Sequence, residues 1–135
     1  MSAESQDTNG SSEDSRQVVF AVDDEPMLLE LMALVIEPLG YRVRTFRDPA
    51  SAVRAFGLAK PPPALIVTDY AMHNMTGMDL IRECRRINPK QKIILVSGTV
   101  NENIYDQSEA KPNTFLAKPF EVRQLAELIR KVVAN

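Results

Sequence analysis

The sequence predicts an α/β fold in which a parallel sheet of five strands is doubly wound, with helices on both faces. Three observations carry this reading. Short β-rich runs alternate with longer amphipathic segments over most of the chain. Three of those runs, VVFAV, ALIV and IILV, are continuously apolar, as strands covered on both faces are. The resulting order, βαβαβαβαβα, folds with right-handed crossovers that distribute the helices over the two faces of one sheet.

The chain opens on MSAESQDTNGSSEDS, which has almost no apolar side chains and is rich in Ser, Asp and Glu. Such a segment cannot bury enough surface to offset the entropy of ordering, so residues 1–16 are expected to form a disordered acidic tail. A folded domain is expected from residue 17 to residue 135. Its first strand spans 17–22. Pro26 then opens a helix with Asp24 or Glu25 as cap, and Leu28, Leu31, Met32, Val35, Ile36 and Leu39 recur on its inward stripe until Gly40 stops it. The second strand, 41–46, alternates with Arg42 and Arg44 and therefore reads as an edge. Asp48 and Pro49 repeat the start signal for a helix reaching Ala59, closed by the Pro61-Pro62-Pro63 run.

The third strand, 64–69, ends in Asp69. A helix from Gly77 to Ile87 follows, closed by Asn88-Pro89, with Leu80, Ile81, Cys84 and Ile87 on one stripe. After the fourth strand, 92–97, the segment of about 101–110 has little apolar stripe beyond Ile104 and Tyr105 and gives the weakest helical pattern. The fifth strand is 114–117. The last helix, 121–133, turns Val122, Leu125, Leu128, Ile129 and Val132 inward, with Glu127 and Lys131 as a solvated i,i+4 pair.

Composition bounds what the domain can be. With 135 residues, 44% apolar and 25% charged, the chain suits one ordinary globular core. No apolar run approaches the ~18 residues of a spanning helix, and the amino terminus lacks a signal-peptide pattern, so no membrane partner and a cytoplasmic location are expected. The single cysteine, Cys84, allows neither an intrachain disulfide nor a cysteine-based metal site, and reads as a small buried hydrophobe. A formal charge of −2 argues against nucleic acid as an electrostatic partner. The charge is uneven, with −3 in residues 1–16 and +1 in the remainder.

Ligands of open parallel sheets bind outside the carboxyl ends of the strands. The first strand there ends in FAVDDEP, placing Asp23 beside Asp24, and two carboxylates about 5 Å apart repel by roughly 1 to 3 kcal/mol. Something positive is required. The third strand ends in Asp69, the fourth in Ser97-Gly98-Thr99, and the fifth in Lys118-Pro119. Each of these taken alone has an ordinary structural explanation, such as a cap or a turn. Together they bring three carboxylates, a hydroxyl and an ammonium to one rim. Carboxylates without His or Cys suit Mg²⁺ or Mn²⁺. A carboxylate can also attack phosphorus to form an aspartyl phosphate, for which positioning and charge neutralisation are the protein's main task.

At these residues the chain resembles the receiver domains of two-component response regulators. VDDEP is similar to that family's acidic pair, IVTDYAMHNMTGMDL to its phospho-acceptor loop, IILVSGT to its hydroxyl-bearing strand end and FLAKPF to its Lys-Pro ending. The resemblance covers residues 17–135. It implies a flavodoxin-like (βα)5 sheet of strand order 2-1-3-4-5, phosphorylation of Asp69, and Mg²⁺ (or Mn²⁺) held by Asp23, Asp24, Asp69 and the main-chain carbonyl of Ala71. It further implies that Ser97 and Lys118 bind the phosphoryl group, that Ser97 and Phe115 form a switch, and that the Lys118–Pro119 bond is cis. Ala71 and Thr99 stand at positions that tune the phosphoryl lifetime in this family.

Two departures from the family pattern stand out. His73 occupies a usual proline position, and NENIYDQSEAKPN lacks the common Gly-Ala, which puts the fourth helix in doubt.

The function expected from this resemblance is a phospho-accepting signalling switch rather than an enzyme with a separate substrate, catalysing only its own phosphorylation and dephosphorylation. The phosphoryl group comes from a histidine kinase, a phosphotransfer protein or a small phosphodonor. The face around the fourth helix, fifth strand and fifth helix then changes its partner preference. Output is expected through a downstream protein target or an output domain missing from the sequence, with a homodimer on phosphorylation as a further option. The alternative is a Mg²⁺-dependent phosphohydrolase acting through an aspartyl phosphate, although such enzymes commonly place an Asp-x-Asp nucleophile on the first strand. An interaction module that is never phosphorylated is a third reading. Neither GxxxxGK[ST] nor GxGxxG occurs, which weighs against a nucleotide-binding fold.

Overall fold

A computed structural model describes residues 15–98 and 111–134. The predicted helix at about 101–110, Thr99 and residues 1–14 of the predicted tail lie outside the described residues.

Strands β1 (Val18–Val22), β2 (Arg42–Phe46), β3 (Leu65–Asp69), β4 (Ile93–Ser97) and β5 (Thr114–Ala117) form one wholly parallel sheet of order β2-β1-β3-β4-β5. Each begins within one residue of its expected start. Helices α1 (Pro26–Ile36), α2 (Pro49–Leu58), α3 (Gly77–Ile87) and α4 (Val122–Ala134) flank it. None of the described helices is long and apolar enough to cross a membrane.

Alternation along the strands divides the interior into two cores. Val19 and Ala21 of β1, Leu65 and Val67 of β3, and Ile94 and Val96 of β4 pack with Leu29, Met32 and Ile36 of α1 and Leu125, Ile129 and Val132 of α4. Phe20, Val22, Ile66, Ile93 and Leu95 face the other way, against Ala52 and Phe56 of α2 and Leu80, Ile81 and Cys84 of α3. Each fully buried Leu, Ile or Phe contributes roughly 1.5–3 kcal/mol of transfer free energy. β3 and β4 are buried along their whole length, whereas β2 is the partly exposed edge its arginines announced.

The helix ends correct several expectations. α1 stops at Ile36 and continues only as a 3-10 turn, Glu37–Leu39, before Gly40 at φ 107°. Pro38 explains the change, because it has no N–H to donate and its ring crowds the carbonyl four residues back. Leu29, absent from the expected stripe, is the buried residue of the first turn, and Leu31 is only partly buried. Ile87, the last residue of α3, lies towards Gly57 of α2 and remains 55% exposed. Val122 remains 51% exposed because it occupies the first turn of α4, ahead of the sheet-facing stripe.

Candidate functional site

Asp23 follows β1 directly, and its own N–H continues the ladder by donating to the Phe46 carbonyl at 3.0 Å. This keeps the carboxylate inside the sheet edge, with no exposed surface. Its Oδ1 accepts the Glu25 N–H at 2.9 Å, so Asp23 organises the turn into α1. Glu25 occupies the cap position without any side-chain cap bond, and neither it nor Asp24 does the capping expected of them. Asp24 is half-buried and is thereby left to face the rim.

Asp69 closes β3 and is 5% exposed. Carboxylate oxygens of Asp23, Asp24 and Asp69 all lie within 4.8 Å of one another. The positive partner that this crowding requires is Lys118, whose Nζ reaches Asp69 Oδ1 at 3.0 Å and Asp23 Oδ2 at 3.2 Å. The main chain sets this reach. Ser97, buried at the end of β4, pairs in register with Ala117, and its carbonyl accepts the Lys118 N–H at 2.8 Å. The ends of β4 and β5, carrying Ser97 and Lys118, are thus tied together at the rim where the carboxylates stand.

Burial governs the electrostatics. Desolvation raises the Asp23 and Asp69 carboxyls above the usual range; the Glu25 N–H opposes it at Asp23, and Lys118 opposes it at both without overcoming it. For Lys118, burial acts to lower its pKa, but hydrogen bonding to Asp69 and attraction to both carboxylates outweigh this and hold it above the ordinary value. One ammonium therefore faces three carboxylates, and only oxygen donors are present. That set fits a small, hard divalent cation.

The loop after Asp69 is built tightly. Gly77 N–H donates to the Tyr70 carbonyl at 2.7 Å, the Thr68 hydroxyl donates to the Asp69 carbonyl at 3.0 Å, and Asn74 takes a left-handed φ of 70°, which Asn tolerates better than most residues. Thr76 and Asp79 close α3 with a reciprocal capping box. Ala71 and His73 are exposed in this loop. Phe115 stands two residues before Ala117, half-buried against the α2–α3 core. The Lys118–Pro119 bond is cis, as the resemblance implied, and so is Lys60–Pro61.

Sequence reasoning thus placed Asp23, Asp24, Asp69, Ser97 and Lys118 on one rim, and the structure brings them together. It missed Thr68 and Gly77, which shape the acceptor loop from beneath. The signal for Gly77 was a glycine directly inside a Thr-x-x-Asp helix start, where any other residue would have made a better helix former.

The chain as a whole is similar to known proteins. The model of the family described as response regulator receiver domain matches residues 19–130. The response regulator receiver protein CpdR of Brucella abortus is 31% identical over 119 residues, covering 87% of this chain and 97% of that protein. The chain spans about half the length of several other curated relatives, which are transcriptional regulators. A receiver domain from Methanospirillum hungatei superposes with a TM-score of 0.81 at 23% identity, over 89% of this chain and 95% of that one. The receiver domain of the Pseudomonas aeruginosa sensor histidine kinase PA1611 superposes at 0.78 with 23% identity, over 90% and 100%. That structure carries a magnesium ion in its active-site cleft.

Proposed function

Because the chain belongs to the response regulator receiver domain family of two-component signalling, we propose that it is a phosphorylation switch in which Asp69 accepts the phosphoryl group. The observation that carries this reading is Lys118 bridging Asp69 and Asp23, the latter 95 positions away in sequence, with Asp24 in the same cluster.

The donor is a phosphohistidine of a kinase or phosphotransfer protein, or a small phosphodonor. An Asp69 carboxylate oxygen forms the new O–P bond as the donor's bond to phosphorus breaks: from phosphohistidine the N–P bond breaks and the imidazole leaves with the electron pair and takes up a proton, and from acetyl phosphate the O–P bond breaks and acetate leaves. Burial favours this chemistry, since a desolvated carboxylate held beside one ammonium loses little solvation on attack. The Lys118 ammonium, already on Asp69, and the Ser97 hydroxyl at the end of β4 would bind the phosphoryl oxygens and stabilise charge that develops there. Asp23 and Asp24 with Asp69, and the Ala71 carbonyl, would hold Mg²⁺, which supplies further neutralisation of the phosphoryl oxygens when bound.

Beside Asp24, α1 exposes Met27 and Leu34 around a groove of about 450 Å³, an apolar landing surface for the phosphodonor. On the far edge, β5 and α4 enclose a groove of about 660 Å³ lined by Phe115, Ala117, Leu128 and Lys131. Output is read there, when Ser97 turns to the phosphoryl group and Phe115 moves inward into the space it leaves. Ala71 and Thr99 set how long the phosphoryl group persists.

The test is incubation with acetyl phosphate with and without Mg²⁺, read by intact mass. One phosphoryl adduct, dependent on Mg²⁺ and absent from Asp69→Asn, is expected. Unchanged labelling of Asp69→Asn defeats the assignment, and steady turnover of a small phosphate ester would assign the chain to the phosphohydrolases instead.

A further inference from the structure

The end of the sheet opposite Asp69 carries a second feature that the switch does not use. A cavity of about 490 Å³ opens between the start of β1, the edge strand β2 and the turn that follows α2. Among the described residues four cations line it, namely Arg16, Arg42, Arg44 and Lys60, and none of the described lining residues is acidic. The rest of the described wall is built from Val18, Phe20, Ala59 and the Pro61-Pro62-Pro63 run, with Ser15 and Gln17 as neutral polar residues. The volume lies in the range of small-molecule sites.

The cations are not scattered by chance. Arg42 pairs in register with Val18, and Arg44 with Phe20, so both project to the α2 face of the sheet, two residues or about 6.6 Å apart. The Arg44 guanidinium is held over the rings of Phe20 and Phe46 at 5.4 and 5.3 Å, which positions it without consuming a counter-charge. Among the described residues neither Arg44 nor Lys60 has a carboxylate partner. Arginines on an edge strand also discourage strand addition, and that alone would explain Arg42 and Arg44. It does not explain why Lys60 and Arg16 converge on the same concavity.

We propose that this cavity is a second binding site, for an organic polyphosphate such as a nucleoside triphosphate. Guanidinium groups match phosphate oxygens with paired N–H donors, and the Arg44 guanidinium together with the Lys60 ammonium on one cavity suits a chain of phosphates better than a single anion. The proline and Val18 wall receives the organic portion. The site is separated from Asp23 by the length of β1, about 13 Å from Val18 to Val22, so it does not overlap the Asp69 site.

The test is an amide chemical-shift titration of the full chain with ATP, without Mg²⁺, alongside orthophosphate, tripolyphosphate and an oligoglutamate peptide at fixed ionic strength. Saturable shifts are expected around Val18, Arg42, Arg44 and Lys60, strongest for ATP and weaker for tripolyphosphate, with orthophosphate inert. Arg44→Ala should weaken ATP binding about tenfold or more, the loss expected for charge-assisted hydrogen bonds. Lys60→Gln, an exposed change that leaves the core intact, should weaken it in the same direction, while Lys118→Ala should leave it unchanged. Shifts confined to the Lys118 rim, equal binding of orthophosphate, binding of oligoglutamate alone, or insensitivity to both Arg44→Ala and Lys60→Gln would each overturn the proposal.

Discussion

A methyl group added to Gly77 would lie 2.5 Å from the Asp69 carbonyl oxygen and 2.7 Å from Cδ1 of Leu95. Leu95 can adjust, but the Asp69 backbone is fixed by the sheet through Tyr70 N–H on the Val96 carbonyl. The acceptor aspartate and the first residue of α3 are therefore packed to contact. Gly77→Ala should lower stability by about 1–3 kcal/mol, the usual cost of overpacking. It should also slow phosphorylation by acetyl phosphate. Urea unfolding combined with a labelling time course checks both.

Metal addition should be felt as stability. Mg²⁺ at ten times its dissociation constant should raise the stability of the wild type by about 1.4 kcal/mol, seen as a higher Tm. Asp24→Asn should lose most of this increment. Lys118→Ala should keep it, because Lys118 competes with the cation for the carboxylates instead of binding it.

Opposite pH dependences are expected from two sets of aspartates. Asp23 and Asp69 have folded pKa values above the ordinary 3.8, so the folded state of metal-free protein holds their protons more tightly than the unfolded state. Their contribution falls as pH rises from 3.8 through the folded values. Asp79 is the reverse case. The Thr76 N–H first and Arg82 second hold its carboxyl below 3.8, so its contribution is present above 3.8 and is lost as pH falls through the folded value. Asp79→Asn should therefore cost about 0.5–1 kcal/mol at neutral pH, the scale of a lost cap, and the difference from wild type should shrink in acid. Denaturant unfolding from pH 7 downwards measures it.

Cys84 is buried in the α2–α3 core, and desolvation pushes its thiol up to about 12. Thiolate, the reactive form, is therefore scarce near neutrality. Alkylation at pH 8 should be negligible in the native protein and rapid in urea. Fast native labelling would show that this core opens.

The sheet was legible because apolar runs such as VVFAV and IILV have only one comfortable environment, and because strand ends dictate where Asp69 and Lys118 must meet. Helix facing was harder to read. In α1 the run MLLELMALVI offers an apolar residue at nearly every position, so periodicity could not separate buried Leu29 from exposed Leu34. At the site, adjacent Asp23 and Asp24 looked equivalent. Only the backbone bond to Phe46 decides that Asp23 is buried against Lys118 while Asp24 faces outward. Gly77 escaped notice because close approach to Asp69 is a property of the folded loop, invisible to local pattern.

β4 lies between β3 and β5, so Lys118 spans one entire strand to touch Asp69. A single aliphatic stem thus works as a mechanical link from the centre of the sheet to its border. A change of charge on Asp69 therefore bears directly on a side chain rooted two strand spacings away, close to 10 Å, at the sheet's edge.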